Sequence, residues 1–495
     1  MSEQQSYRQI MKSTSLFGGV QIFNIIIQII RSKFVAVLLG PAGMGIMGLL
    51  TSTISIVGSL TNFGLATSAV KDIAAAHSSG DIGRMSIIVA TFKRLTWITG
   101  ILGTVVTLIL SSWLSKLTFG NSDYTLAFVI ISSTLLFNQL NSGHLVLLQG
   151  MRKLNYLARA NLIGTSLSLL LTVPMYYLWG INGIVPVIVT SSIIVLIASS
   201  FYSQKASISI VVISISTMLA EGRGMLRIGL LISLSGILGT CFSYIIRIFI
   251  SRSGGVADVG LYNAGFSIVN TYVGLIFTAM ATDYYPRLSA VAHDNKLCKL
   301  IINQQAEIAI LILAPIIVAF LGFINWIIYI LYSDKFLPVN DMVYWAAMGM
   351  FFKTASWAIA FVFLAKSDSK IYFWNELLAN VYIFVFNIVG YKLMGLTGLG
   401  ISFAISYLVY FIQVYIICRR RYGFDFNKAF IKIFLFQFSL ALGTFFAIYV
   451  LPKPYPYFVS FILISFSIWI SFMELDKRLE LFKILSDMNA KFFKK

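Results

Sequence analysis

Charge is scarce in this chain, and negative charge scarcest. Only 11% of its 495 residues are Asp, Glu, Lys or Arg, eighteen acidic against thirty-seven basic, where a soluble domain carries roughly 25%. With 58% apolar residues, that shortage excludes a globule in water and leaves a polytopic membrane protein. Three cysteines (Cys241, Cys298, Cys418) at unrelated spacings exclude a disulfide framework or a CxxC metal knuckle. Three histidines (His77, His144, His293) form no HExxH or comparable spacing, so no metal site is expected. Inside the apolar stretches there is no carboxylate pair and no nucleophile motif, and every outer loop is short, about ten residues or fewer. The chain is therefore expected to be neither an enzyme nor dependent on a cofactor. Segments of alternating polarity are also missing, which excludes a β-barrel.

What is present is a series of apolar stretches of about 20 to 28 residues, enough to cross a hydrocarbon core of roughly 30 Å at 1.5 Å per residue. Fourteen can be counted, the first centred near Ile26 and the last near Ile464. Their backbones must satisfy themselves in lipid, so they are predicted to be helices. Placing the N-terminus inside puts 28 of the 37 Lys and Arg in inner loops and tails and only Lys116, Arg252, Lys335, Lys392 and Lys453 outside. By the positive-inside rule both termini are cytoplasmic. Clusters such as Arg152-Lys153 and Arg419-Arg420-Arg421 then face anionic lipid headgroups, which accounts for the net charge of +19 without nucleic acid. The polar start Met1 to Gln5, with no cleavage site after the first span, predicts no signal peptide.

The first 418 residues read as one six-helix unit written twice. Gly40, Ala42 and Gly45 recur as Gly255, Ala257 and Gly260, Thr67 as Thr282, and Gly180 and Gly183 as Gly395 and Gly398, always 215 residues on. From Gly40 to His77 eight of 38 positions are identical at this spacing, and the register holds without drift to Gly183. The fold expected is therefore an all-α polytopic membrane protein with lobes at 13–202 and 228–418 as parallel repeats. A polar, glycine-bearing linker at 203–227 would join them. Two extra helices at 428–473 follow, then an amphipathic cytoplasmic tail at 474–495. Such repetition marks a transporter that opens alternately to either side, with its site between the halves.

Four cations lie within spans: Arg31 and Lys33 in the first, Arg247 in the seventh and Lys353 near the middle of the tenth. A cation at the bilayer centre costs at least about 2.5–3.5 kcal/mol, so such residues face a cavity or reach for the headgroups. For Arg31 and Arg247, equivalent in the repeat to within one residue, both readings stand. Lys353 lies about twelve residues, near 18 Å, from the outer loop, too deep for easy snorkelling. Gln21, Asn24, Gln28 and Arg31 follow at intervals of three, four and three, which stacks them on one helix face. Gly236, Thr240, Ser243 and Arg247, and Ser52, Ser55, Ser59 and Asn62, make milder stripes, which also suit helix packing. Asn138 occupies the repeat position of Lys353, and Asn141 extends its polar face. Among the few acids, Glu307, Glu376 and Asp283 are candidates either for protonation during transport or for interfacial ion pairs.

The run from Arg31 through Gly40-Pro41-Ala42-Gly43-Met44-Gly45, followed by Asn62-Phe63-Gly64-Leu65 and Ala69-Val70-Lys71-Asp72, resembles the opening of O-antigen and exopolysaccharide translocases. These belong to the multidrug/oligosaccharidyl-lipid/polysaccharide exporter superfamily. The resemblance implies a flippase of the bacterial cytoplasmic (inner) membrane for a polyprenyl-diphosphate-linked oligosaccharide, with a cationic central cavity. Arg31, Arg247 and Lys353 are the positions that would supply its charge, and Gln21, Asn24, Gln28 and Asn138 its neutral polarity. It also implies glycosyltransferases that build the glycan and a polymerase that extends it as partners.

The physics suits an anionic lipid-linked cargo, because guanidinium and ammonium groups replace the hydration of a diphosphate. Each negative charge carried outward gains about 2.3 kcal/mol per 100 mV. A cation-coupled drug exporter of the same superfamily is the chief alternative. It would need carboxylates in its cavity, and the first helix has none. A flippase for the peptidoglycan lipid precursor is the other.

Overall fold

The computed structural model describes residues 3–79, 81–205 and 211–479, with side chains from Phe23 onward except at positions 82, 228, 231, 232, 235, 272, 275, 279, 282 and 479. The amphipathic tail expected after Leu479, and the side chain of Gln21, lie outside the described residues. The elements are α1 (Glu3–Thr61), α2 (Leu65–Ser79), α3 (Ile82–Phe119), α4 (Thr125–Gly150), α5 (Leu154–Trp179), α6 (Ile184–Gln204), α7 (Ile215–Gly254), α8 (Val256–Phe266), α9 (Gly274–Ala290), α10 (Asn295–Leu331), α11 (Asn340–Ala365), α12 (Ser369–Tyr422), α13 (Lys428–Val450) and α14 (Tyr455–Leu479). All described regular structure is helical, as lipid requires of a backbone with no water to bond.

Several helices are too long to be single crossings. A straight helix the length of α12, 54 residues, would run about 81 Å, and Gly395 (φ 58°, ψ −135°) breaks it. Gly40 (φ 66°, ψ −171°) breaks α1 in the same way. Nine helical stretches among the described residues are long and apolar enough to cross a membrane. The breaks at Gly40, Gly180–Gly183 and Gly395 make each of three of these into two crossings. The bent pair α8–α9 adds one more, and α7, 40 residues long, lies where hydropathy predicts the seventh of fourteen spans. Their outer surfaces carry bare apolar side chains such as Ile109, Leu170, Leu178 and Phe458, each more than 60% exposed, as lipid-facing helices should.

The repeat is written into the backbone as well as the sequence. Gly40 and Gly255 (φ 95°, ψ 172°) share one extended left-handed-φ conformation, and Gly180 (φ 52°, ψ −132°) and Gly395 share another. The turn after α4 puts Arg152 at φ 56° and the turn after α11 puts Ser367 at φ 57°. Three hydrogen bonds close the first turn: Met151 N to Leu147 O, Arg152 N to Gln149 O and Lys153 N to Leu148 O. The same three recur 215 residues later at Lys366, Ser367 and Asp368. The side chains differ, so this second agreement is invisible to residue identity.

The chain forms two compact units, Met1–Leu261 with Leu331–Lys335, and Tyr262–Ile330 with Phe336–Lys495. In the first, α7 packs along α1, α2 and α3. It begins at Ile215, within the stretch 203–227 expected as a linker, because Ser214 caps it by accepting from Thr217 N at 3.1 Å. Met225 and Leu226 then join a core of Leu65, Ile73, Phe92 and Leu147. In the second unit α10 and α11 are the most deeply buried spans. Cys298 and Cys418 are free thiols in a core with Tyr284, Phe363 and Phe424. The extra helices α13 and α14 are fastened to this unit: Gly322 of α10 meets Ser460, Phe351 of α11 packs on Phe434 and Phe438, and Gln437 bonds Ser471 and Ser467.

Candidate functional site

Between the second half of α1 and α7, within the first unit, lies a cavity of about 610 Å³. It exists because small residues face each other: Ser52 and Ser55 on α1, Gly236, Gly239, Thr240 and Ser243 on α7. A Cβ added at Gly236 or Gly239 would touch nothing. Among the described residues Arg247 is the one charged side chain lining it. Its Nη1 donates to Ser243 O at 3.1 Å and Ser243 Oγ at 2.6 Å, so the guanidinium is held by its own helix one turn back.

The two helices touch at both ends of this space. Tyr244, which also lines the cavity, has its Oη 2.6 Å from Thr118 Oγ1 and 3.1 Å from Thr53 Oγ1 in a buried hydroxyl cluster. There Arg252 donates to the Lys116 and Leu117 carbonyls at the C-terminus of α3, where a cation is favoured by the helix dipole. At the other end Asn62 Oδ1 accepts from Gly64 N at 2.9 Å and sets a left-handed break. A Cβ at Gly64 would lie 2.1 Å from Gly229 O, so only glycine fits.

A second cavity of about 380 Å³ adjoins the first and shares Thr51 and Ser55 with it. It runs between α1, α3 and α4, and its polar lining includes Ser59, Asn62, Thr99, Asn138, Gln139 and Ser142. None of its lining residues is charged.

In the second unit Lys353 lies about midway along α11 and lines a cavity of about 360 Å³ with Glu376, Asn380 and the rings of Trp357, Phe361, Tyr372, Tyr407 and Tyr410. Its Nζ donates to Asn270 Oδ1 at 2.6 Å and sits 5.1 Å from the Tyr407 ring centre and 5.7 Å from that of Phe403. Cation–π attraction replaces part of its hydration there. Glu376 accepts from Tyr410 Oη at 2.6 Å and from Asn375 Nδ2 at 3.3 Å.

The other candidates lie elsewhere. Arg31 is half-buried beside the Tyr176 hydroxyl of α5, while Asn24 Oδ1 accepts from Thr165 Oγ1 at 3.4 Å. Two members of the first-helix stripe thus meet α5, and Gln28 is exposed; none of the three lines the cavities above. Asp283 pairs at 2.8 Å with Arg287, both well exposed. Glu307 is buried, pairs with Arg478 at 2.8 Å and accepts from Asn427 Nδ2 at 2.7 Å, which ties α14 to α10. Among the described residues no cluster of three or more His, Cys, Asp or Glu is placed to hold a metal ion.

Sequence reasoning missed the Tyr244, Thr53 and Thr118 cluster, whose hydroxyls carry no periodic signal. It also missed Asn270, for which a signal existed. Asn270 is the repeat equivalent of Ser55, as Lys353 is of Asn138. The polar pair that bonds in the second repeat therefore recurs in neutral form in the first, where both members line one cavity.

Residues 34–341 match the model of a family described as polysaccharide biosynthesis protein. The lipid III flippase of Escherichia coli strain K12 is 20% identical over 398 residues, 79% of this chain and 94% of its own length. The same identity and coverage hold for the lipid III flippase of Shigella flexneri. Among solved structures, the lipid II flippase MurJ in an inward closed conformation superposes with a TM-score of 0.68 at 12% identity, covering 95% of this chain and 99% of that one. An inward-facing MATE-family multidrug resistance transporter of the MOP superfamily gives 0.65 at 16% identity, over 81% and 94%. At these identities the likeness is one of fold.

Proposed function

Because the chain belongs to the polysaccharide biosynthesis protein family, we propose that it moves a polyprenyl-diphosphate-linked oligosaccharide, an O-antigen or exopolysaccharide repeat unit, from the cytoplasmic to the periplasmic leaflet of the bacterial inner membrane. Glycosyltransferases would supply this cargo and a polymerase would consume it. The observation that carries the reading is Arg247: a fixed cation within a membrane span, lining a cavity whose other walls are hydroxyls and glycines. An anion entering there trades water for guanidinium donors that can bind phosphate oxygens in pairs. The glycines leave room for a bulky headgroup.

Lys353, with its ammonium over aromatic faces, is a second cationic position, and Arg31 beside Tyr176 a third. Alternating access requires that the contacts at either end of the Arg247 cavity open in turn, as the lobe at 13–202 rocks against that at 228–418. Glu376, bonded to a phenol inside the bundle, is the carboxylate best placed to exchange a proton during that cycle. Asp283 and Glu307 already have cationic partners. A drug exporter for cationic amphiphiles would want the opposite charge at Arg247. Both termini are taken as cytoplasmic from the basic inner loops.

Deleting the gene in its host tests the reading. Loss of surface polysaccharide with lipid-linked oligosaccharide accumulating inside supports it. An intact surface glycan with new sensitivity to cationic dyes makes the protein a drug exporter, and arrest of cell-wall synthesis makes it a peptidoglycan-precursor flippase.

A further inference from the structure

We infer that the cavity beside the Arg247 chamber is a saccharide subsite selective for uncharged sugars, so that the sugar nearest the diphosphate is a neutral or N-acetylated pyranose and not a uronic acid. The inference rests on the flippase reading and adds to it the charge class of the cargo's first sugar.

Three observations in the first unit carry it. The first is adjacency: Thr51 and Ser55 line both cavities, so the second space lies next to the one that Arg247 lines. The second is composition. The fifteen residues lining that space include no Asp, Glu, Lys, Arg or His. Its polar groups are hydroxyls and carboxamides, each both donor and acceptor, which matches the hydroxyls and acetamido groups of a neutral sugar. A uronate there would be a partly desolvated anion with no cation to meet it, which such surroundings strongly disfavour.

The third is that much of this polarity is unspent. Where α3 and α4 are glued together the hydrogen bonds are made: Thr104 Oγ1 donates to Ser132 O, and Gln139 Nε2 donates to Thr99 Oγ1 at 3.0 Å. Ser55, Ser59, Asn138 and Ser142 instead face the cavity and make no side-chain hydrogen bond among the described residues. Packing alone does not call for four idle polar groups around one cavity. The volume, about 380 Å³, lies within the roughly 300–1,000 Å³ range of small-molecule sites. The repeat supplies a control: at the position of Asn138 the other unit carries Lys353, bonded to Asn270 at the position of Ser55. The same locus is cationic in one unit and neutral in the other.

The test uses the full chain in proteoliposomes with two synthetic cargoes, polyprenyl-diphosphate-N-acetylglucosamine and polyprenyl-diphosphate-glucuronic acid. The native protein should flip the neutral cargo at least about tenfold faster, in line with the rejection expected of a site lacking a partner for a polar group. Asn138→Lys, which copies Lys353, should bring the two rates within about threefold. The near-isosteric Asn138→Asp should widen the gap. Equal native rates overturn the inference while leaving the flippase reading intact. So does a ratio that neither variant changes although both reconstitute with the native melting temperature. Movement of neither cargo overturns the flippase reading itself, and the inference with it.

Discussion

Gly45 and Gly260, equivalent positions of the repeat, hold each other's helices at backbone distance. A Cβ on Gly45 would stand 1.9 Å from the Val256 carbonyl oxygen, and a Cβ on Gly260 would stand 1.9 Å from the Pro41 carbonyl oxygen. Pro41 and Val256 are themselves 215 residues apart, so one contact is made twice about a local twofold relation. Glycine at both positions lets the start of α8 cross α1 with nothing between the backbones. This crossing comes nine residues after Arg247 in the chain, towards one end of the Arg247 cavity.

Gly45→Val and Gly260→Val should each part that crossing, at a cost of about 1–3 kcal/mol typical of overpacking, and bias the protein towards the state open at this end. In a background with Cys241, Cys298 and Cys418 replaced, a cysteine at Ser243 should react faster with an impermeant thiol reagent applied from outside. Unchanged labelling with unchanged transport would show that the crossing is not a gate.

Arg247→Ala should slow flipping by roughly 10- to 100-fold, the equivalent of one or two charge-assisted hydrogen bonds, and Arg247→Glu should abolish it. Arg247→Lys should keep part of the rate, because the charge survives but paired donation to phosphate does not. Lys353→Glu should also stop transport by placing a second carboxylate beside Glu376. Reconstituted flipping rates decide all four, and a native rate for Arg247→Glu would remove the phosphate role from this residue.

The two paired acids outside the candidate cavities should behave differently from each other. Arg478→Ala strips a partner from buried Glu307 and should cost about 2–4 kcal/mol, somewhat under the penalty for breaking a fully buried pair. Asp283→Asn touches an exposed pair and should cost less than about 1 kcal/mol. Thermal melts in detergent separate them, with α14 detaching first in the Arg478 variant.

Asp368, in the turn between α11 and α12, should confer a small pH dependence. Hydrogen bonds from Tyr422 and Arg421 hold its carboxyl below the ordinary 3.8. A depressed folded-state value stabilises the fold above that pH, and the contribution disappears as pH falls through the folded value. Asp368→Asn should therefore lower the melting temperature at pH 7 and lower it by less near pH 3. An equal loss at both would mean that shape and not charge holds this turn.

The span count, the repeat and the breaks at Gly40, Gly180, Gly255 and Gly395 were legible because each depends on local chemistry. Lipid demands long apolar helices, and a left-handed φ demands glycine. Helix periodicity placed Gln21, Asn24, Gln28 and Arg31 on one face, but a face has neighbours that periodicity does not name. Asn24 and Arg31 turn out to meet Thr165 and Tyr176. Lys353 and Asn138 were paired by register, yet the aromatic cage of the one and the neutral chamber of the other depend on helices far away in the chain.

By itself, then, the sequence determined the solvent, the number of crossings and the twofold repetition, since each follows from composition or from spacing along the chain. Tertiary structure alone decided which cations border open space. It set Arg247 and Lys353 beside cavities, turned Arg31 to a phenol, spent Glu307 on Arg478, and brought Gly45 against Val256. A cavity is the place where side chains from several helices fail to meet, and no one segment of the chain encodes it.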